Sequence, residues 1–475
     1  MKSNFKYKYI AIVLWLFILP CVSIYSQSDS LTYYLETAAK NNPAVLQRYN
    51  EYQASLQKVP QVGSLPDPQL EIGVFLSPME LISGNQVADI KLMQMFPWFG
   101  VIKNAKDEMS LMAKAKFETF RDAKLQVYYD VQRAWFDLYK VRQNIRISEK
   151  NTDLLKTIER LTLVKYKSGS ISGSPSGSAS RMSSANAPAV SSGSSGMNTM
   201  GGKSSGSTSQ GTVSASSTPM NTSSGGTGLS DVYQIQIELG DLENNIASLK
   251  NEEQVIVSRF NSMLNRNQKT PVKGVEILPD ESLDISYLSV SDSMFLRNPM
   301  LGMYRYEQQS LEARKKMQKQ MGLPMVGLGV NYTVINKSEM STSPMNGKDM
   351  IMPMVVLTLP IYRNKYKAMQ SESAFLKKAS EQNYQATANS LQAEYYEALQ
   401  LYNDARRRMK LFENQSKLAQ KTLDILIKTF SSSSSNLTEL LRIRQQLFDY
   451  EFKQVEAVTD VHKAEAWIKR LANNS

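Results

Sequence analysis

Apolar and polar positions alternate with two different periods along this chain, and the switch between periods occurs twice, each time at a proline. Leu92 to Gly100 reads LMQMFPWFG and Val355 to Arg363 reads VVLTLPIYR. Each is a β-leaning apolar run that stops at Pro97 or Pro360, passes an aromatic residue, and opens into a very long charged stretch carrying spaced Ala and Leu. Proline has no N–H to donate to a ladder, and its fixed φ suits the start of a helix. The unit predicted is strand, proline stop, long helix.

Taken in order, Ser30 to Val59 reads as helix, with Ser28, Asp29 and Ser30 as caps and Asn41-Asn42-Pro43 inside it. Leu65-Pro66-Asp67-Pro68 breaks it. Gln69 to Phe75 alternates as a half-buried strand (about 69–76), Ser77 to Gln86 reads as a loop, and Val87 to Phe96 alternates again. Strands of about ten residues match tilted transmembrane β-strands. The helix after Pro97 is predicted to reach about Lys167. Its apolar and small residues Val127, Val131, Ala134, Leu138, Val141, Ile145, Ser148, Thr152 and Leu155 are spaced four and three, a heptad seam of a coiled coil. Ser168 to Gly228 is almost wholly Ser, Gly, Thr, Ala, Asn and Pro with scattered Met, a composition that cannot bury a core. Helix resumes at Leu229-Ser230-Asp231-Val232 and runs to about Asn265, followed by a looser stretch, Lys269 to Tyr287, with strand-like Val272 to Leu278.

The plan then repeats. Asn298-Pro299 answers Asn42-Pro43, Leu323-Pro324 answers Leu65-Pro66, and strands at 325–335 and 350–359 flank a polar loop. The second long helix carries its own seam at Leu391, Tyr395, Ala398, Tyr402, Ala405, Met409 and Phe412 and reaches Phe430. A turn from Ser431 to Asn436 leads to Leu437-Thr438-Glu439-Leu440. Pro97 to Leu229 is 132 residues and Pro360 to Leu437 is 77, so the first repeat carries 55 more at its hairpin tip. The domains expected are a first repeat over 27–267, a linker over 268–287 and a second repeat over 288–475.

Composition narrows the setting. Met1 to about Ser26 has Lys2, Lys6 and Lys8 before the apolar run Ile10 to Pro20, the pattern of a secretory signal peptide too short to span a bilayer. Cys21 is the only cysteine, so no disulfide framework exists; it is also a candidate for lipidation, although Pro20 is a poor residue before it. The net charge of +11 is spread through helical stretches of an exported chain, which reads as a solvated face and not as nucleic-acid binding. With no later run of about 20 apolar residues, any membrane crossing must be a β-barrel. Four strands are too few to close one, since about eight is the practical minimum. The open edges must pair with other copies, and three chains give twelve strands.

At this point the residues resemble a known family, the TolC-type outer-membrane efflux channels, over nearly the whole mature chain. The features that carry the resemblance are the Asn-Pro first helix, PDPQL before the first strand, QMFPWFG after the second, and the tip motifs LSDVYQIQIEL and LTELLRIRQQL. The resemblance implies a mainly α chain with a transmembrane β portion, built as a duplicated strand-strand-long helix-helix repeat. It further implies a homotrimer whose twelve-stranded barrel, four strands per chain, sits in outer-membrane lipid and continues into a periplasmic α-helical coiled-coil barrel. Such a channel is a passive conduit joined by a periplasmic adaptor to an inner-membrane pump of the proton-driven resistance-nodulation-division type. The PDPQL and FPWFG wording looks most like the heavy-metal (copper, silver, cobalt–zinc–cadmium) branch. By motif position the resemblance assigns a gate to Asp231 and Glu439, with Tyr166 and Phe430 at the preceding aromatic position. The family's second gate acid falls on Arg442, a departure that argues against an anionic ring two layers deep. Without the resemblance, Asp231 and Glu439 are early-turn acids favoured by the helix dipole. The adaptor-docking tips are expected at Lys167, Gly169, Leu229 and Ser230 in the first repeat and at Ser431, Asn436 and Leu437 in the second.

Catalytic chemistry finds little support. His462 is the only histidine and lies in a helix, which together with the single cysteine excludes Zn-type His/Cys sites; no phosphate loop or nucleophile elbow is present, and no cofactor is implied. Methionine is the exception, at 24 residues. Met182, Met197, Met200 and Met220 are almost the only large apolar side chains of the tip tract. Met340, Met345, Met350, Met352 and Met354 cluster in and after the second strand loop, with Met79, Met93 and Met95 in the first hairpin. Thioether sulfur is soft and selects Cu(I) or Ag(I) over Zn(II). Inside strands and helices methionine reads as packing material; in the tip tract, which has no core to fill, the four methionines are candidate Cu(I) or Ag(I) ligands. The function read from the sequence is an outer-membrane efflux conduit for such ions. A drug or type I secretion conduit is the nearest alternative, and a structural coiled-coil surface protein is the alternative from a different class.

Overall fold

A computed structural model describes residues 31–169, 228–273, 278, 295–432 and 436–472. The segment expected to be a signal peptide, with Cys21, and the tip tract with Met182, Met197, Met200 and Met220 lie outside the described residues.

The elements are α1 (Leu31–Asn41), α2 (Pro43–Val62), β1 (Gln69–Leu81), β2 (Gly84–Phe96), α3 (Val101–Gly169), α4 (Leu229–Met263), α5 (Pro299–Met321), β3 (Met325–Asn336), β4 (Met350–Thr358), α6 (Arg363–Ser431) and α7 (Leu437–Leu471). The order strand, strand, long helix, helix occurs twice with matched lengths. Both long helices have 69 residues, on the order of 100 Å at 1.5 Å per residue, and both return helices have 35.

The first predicted helix is in fact two. Asn42 has extended backbone and its side chain accepts from the Ala44 N–H at 2.9 Å, capping α2, while Pro43 takes the first helical position. Asn298 does the same for α5, accepting from Met300 and Leu301 N–H ahead of Pro299. The Asn-Pro pair is therefore a helix start, and the expectation of one continuous helix through it is corrected. Asn42 also donates through Nδ2 to the Met263 carbonyl at 2.8 Å, tying the start of α2 to the end of α4.

The four strands form one antiparallel sheet in the order β1-β2-β3-β4. The loop expected over Ser77–Gln86 is instead strand on both sides of a tight turn at 82–83, with a bulge between Val74 and Met79 absorbing the change of register. The bulge breaks the alternation that the sequence reading relied on. Gly84 closes this turn at φ +120°, where an added Cβ would lie 2.4 Å from the Asn336 carbonyl. No regular strand is present at 271–273, the described start of the strand-like stretch, although Val272 is buried.

The predicted seam is the packed face of α3: Val131, Leu138, Val141 and Leu155 are each no more than 1 % exposed, and Ser148 is fully buried. On α6, Leu391, Tyr395, Ala398, Tyr402 and Ala405 are buried likewise. Three apolar clusters result. One joins α1, α3 and α4 around Tyr34, Trp135 and Phe260; one joins α5, α6 and α7 around Leu301, Ala398 and Ile468. The third, around Leu155, Ile235, Leu423, Phe430 and Leu440, unites both hairpins near their tips. The helices pack side by side in the order α4-α3-α7-α6.

Candidate functional site: sheet faces, open flanks and hairpin tips

Directly paired residues share a face of the sheet, so the register sorts the side chains. One face carries Leu70, Ile72, Val74, Ile90, Leu92, Leu328, Val330, Ile351, Val355 and Leu357. These are solvent-exposed in the single chain, Val355 by 74 % and Ile72 by 65 %. The opposite face carries a Lys91–Glu71 ion pair at 2.8 Å and a Thr333 hydroxyl donating to Asp89 at 3.3 Å. It is also the more shielded side, with Gly327 and Thr333 buried while Leu328 and Val330 between them are exposed. An aliphatic outer band backed by a polar inner face is the pattern of a transmembrane barrel wall.

Both layers of the molecule end in open flanks. β1 and β4 are sheet edges without a further strand among the described residues. In the helical layer the flanking helices carry exposed apolar rows: Leu229, Tyr233 and Ile237 on α4, and Leu411, Leu418 and Ile425 on α6. The second row has strict heptad spacing, a second seam that is legible in the sequence beside the packed one. Among the described residues no helix is long and apolar enough to cross a membrane.

At the tips the four nominated gate residues do not behave alike. Phe430 is 1 % exposed and packed in the tip cluster, with the Lys165 ammonium 4.4 Å from its ring centroid. Tyr166 is 38 % exposed. Asp231, in the first turn of α4, is partly shielded; burial raises its carboxyl above the usual aspartate range, against the pull of Lys165. Glu439, exposed in the first turn of α7, accepts from Arg442 Nε at 3.0 Å and Nη2 at 2.7 Å, which holds its carboxyl below the usual range. Arg442 thus neutralises the neighbouring acid one turn away.

The docking candidates lie at the helix ends. Lys167 is exposed in the last turn of α3, Gly169 is its final residue, and Leu229 and Ser230 are exposed at the start of α4. In the second repeat Ser431 closes α6 with its hydroxyl donating to the Lys428 carbonyl, Asn436 caps α7 on the Thr438 N–H, and Leu437 is buried in the tip cluster.

Sequence reasoning missed the Arg444–Glu238 pair. Arg444 sits inside the apolar seam of α7, between Leu440 and Leu447, with its side chain 5 % exposed. Its Nη2 donates to Glu238 on α4, bridging the two hairpins, while Nε has no partner among the described residues. Burial lowers the guanidinium pKa and raises that of Glu238, each opposed by the partner's charge. The signal was legible as an arginine at a position where the heptad demands an apolar residue.

No group of three His, Cys, Asp or Glu able to hold a metal occurs among the described residues. His462 stacks on Phe136 with centroids 5.3 Å apart, and its Nδ1 lies 3.7 Å from Glu465. A cleft of about 670 Å³ between α3, α5 and α6 is lined by mixed charges including Asp107, Lys114, Arg305 and Lys377, and none of the nominated residues reaches it.

No family model matches the sequence, and no curated protein sequence matches it either. Solved structures do. CusC, described for its folding and transmembrane channel formation, aligns with TM-score 0.69 at 12 % identity, over 93 % of this chain and 91 % of that one. The outer-membrane protein VceC of Vibrio cholerae aligns with TM-score 0.67 at 10 % identity, over 93 % and 95 %. The CmeC outer-membrane channel of Campylobacter jejuni aligns with TM-score 0.67 at 13 % identity, over 94 % and 85 %. The chain shares the fold of these outer-membrane proteins.

Proposed function

We propose that this chain is the outer-membrane channel of a tripartite efflux system, a passive conduit for monovalent soft metal ions, Cu(I) or Ag(I). The observation that carries the channel reading is the coincidence of two open layers in one chain: a two-faced sheet with bare edges above a helical layer with bare apolar flanks. Both are completed by further copies, and three give a twelve-stranded barrel over a twelve-helix tube, in keeping with the fold shared with CmeC and VceC. The aliphatic face then meets outer-membrane lipid, and the helices extend into the periplasm. A purely structural coiled-coil protein leaves that exposed aliphatic face without a purpose.

In this assembly Asp231 and Tyr166 border the periplasmic opening, while Glu439, matched by Arg442, contributes little net negative charge to it. The tips at Lys167–Gly169, Leu229–Ser230 and Ser431–Asn436 meet a periplasmic adaptor, which links the conduit to an inner-membrane pump of the resistance-nodulation-division type. The wording of the PDPQL and FPWFG motifs and the methionine content support soft metal cargo. Purified mature protein in detergent is expected to run as a trimer and to give discrete conductance steps in planar bilayers. A monomer that stays soluble without detergent and is silent in bilayers refutes the channel. A strain lacking the gene is expected to be more sensitive to Ag(I) and Cu(I); unchanged metal tolerance with drug sensitivity would move the cargo to the alternative.

A further inference from the structure

Six methionines fall within the regularly paired part of the sheet: Met93, Met95, Met325, Met350, Met352 and Met354. The register puts all six on the polar face, and none lies among the aliphatic residues of the other face. Packing alone does not ask for this. The apolar positions of the same strands are filled by Leu, Ile and Val, and the polar side of a membrane wall ordinarily carries hydrophilic side chains.

The centre of this face is floored by glycine. Met93, Gly329 and Met354 are aligned across β2, β3 and β4, and Met95, Gly327 and Val356 form the next row. Glycine inside a strand weakens it and marks a close approach. Here a Cβ on Gly327 would lie 2.6 Å from the Met95 sulfur, and one on Gly329 would lie 3.6 Å from the Met93 Cβ and 2.8 Å from the Leu92 carbonyl. With strands about 4.8 Å apart, Met93 and Met354 flank a bare gap of about 10 Å, and each has a second methionine two residues along its own strand, about 6.7 Å away. Met352 at the end of the Lys91–Asn331 row completes the set. Gly327 and Gly329 bring no side chain of their own between these methionines, and the Met95 sulfur lies over Gly327.

We propose that Met93, Met95, Met352 and Met354 form a thioether site for monovalent soft cations on the inner face of the sheet, over Gly327 and Gly329. Thioethers are neutral, soft ligands that hold Cu(I) and Ag(I) in preference to Zn(II), Mg(II) or Ca(II). Neutral ligands also suit a conduit, because a site in a pore must release as well as bind. The proposal deepens the cargo reading above and rests on it for its biological meaning, but not for its chemistry.

The test is Ag(I) titration of the full-length mature trimer in chloride-free detergent buffer, in a background with Met182, Met197, Met200 and Met220 replaced by Leu so that the tip tract contributes nothing. Changing Met93, Met95, Met352 and Met354 to Leu, which keeps volume and apolarity, is expected to weaken Ag(I) binding at least tenfold. Changing the exposed Met79 and Met340 to Leu is expected to leave it within twofold. Equal affinity in the two variants overturns the site. Should the fourfold variant fail to assemble, the parent background labelled with ¹³C at the methionine methyl groups answers the same question. Ag(I) is expected to shift the resonances of those four residues, and unshifted resonances overturn the proposal. A gene deletion without effect on Ag(I) tolerance, alongside intact binding here, would sink the cargo reading and leave the site. Loss of tolerance alongside unchanged binding would do the reverse.

Discussion

Single residues carry several of the contacts that decide this molecule. Asn42 and Asn298 each satisfy backbone donors that a helix start leaves open, so Asn42→Ala and Asn298→Ala are each expected to cost about 1 kcal/mol. As the two residues flank separate clusters, through Val45 and Leu301, the two losses should add, as the thermal midpoints of the two single variants and the double variant would show. The buried pair is more severe. Glu238→Ala strands the Arg444 guanidinium in the tip cluster and is expected to cost about 3 kcal/mol, whereas Glu238→Leu with Arg444→Met recovers most of it. The tip acids separate by pH. Asp231 has a raised carboxyl pKa, so its favourable contribution belongs to the protonated form and fades as pH rises through the raised value. Glu439 has a lowered one, so its contribution is present above the ordinary range and is lost only at more acid pH. If Asp231 borders the pore, conductance should change on acidification above the ordinary aspartate range. That step should vanish in Asp231→Asn and persist in Glu439→Gln.

Among the elements, the hairpin of β1 and β2 shows how turn geometry sets register. Gly84→Ala places a Cβ against the Asn336 backbone at a positive φ that alanine resists, so the turn must shift and with it the pairing of β2 with β3. The expected outcome is a sharp drop in assembled trimer recovered from membranes. The heptad seam of α3 was legible because a four-three spacing has only one packed solution along a helix. The strand ends were not, because the bulge after Val74 interrupts the alternation, and the lone sequence reads such an interruption as a loop. The single helix drawn through Asn42 failed for a related reason: its polar and apolar spacing continues past the break, and only the cap geometry reveals that the chain restarts there.

At the scale of the whole molecule the open flanks are the deciding feature. Leu418→Glu with Ile425→Glu alters residues that are more than 60 % exposed in the single chain and sit outside the packed seam. The hairpins are therefore expected to stay helical by circular dichroism, while the proposed trimer is lost on size-exclusion chromatography in detergent. Retention of the trimer would mean that α6 does not face a neighbouring copy. The same logic applies to β1 and β4: in the proposed barrel their edges have to be met inside a membrane, where no water can satisfy them.

The sequence by itself determined most of the elements and their order. The strand-ending prolines and the heptad spacing act on neighbouring residues, and local physics suffices to read them; the repeated plan, the four strands and the packed seams follow. Which methionines share a face, which arginine is buried, and which apolar rows remain uncovered were decided only by tertiary structure. Those facts depend on the register between strands and on the rotation of one helix against another, and both are set by contacts between residues that lie hundreds of positions apart in the chain.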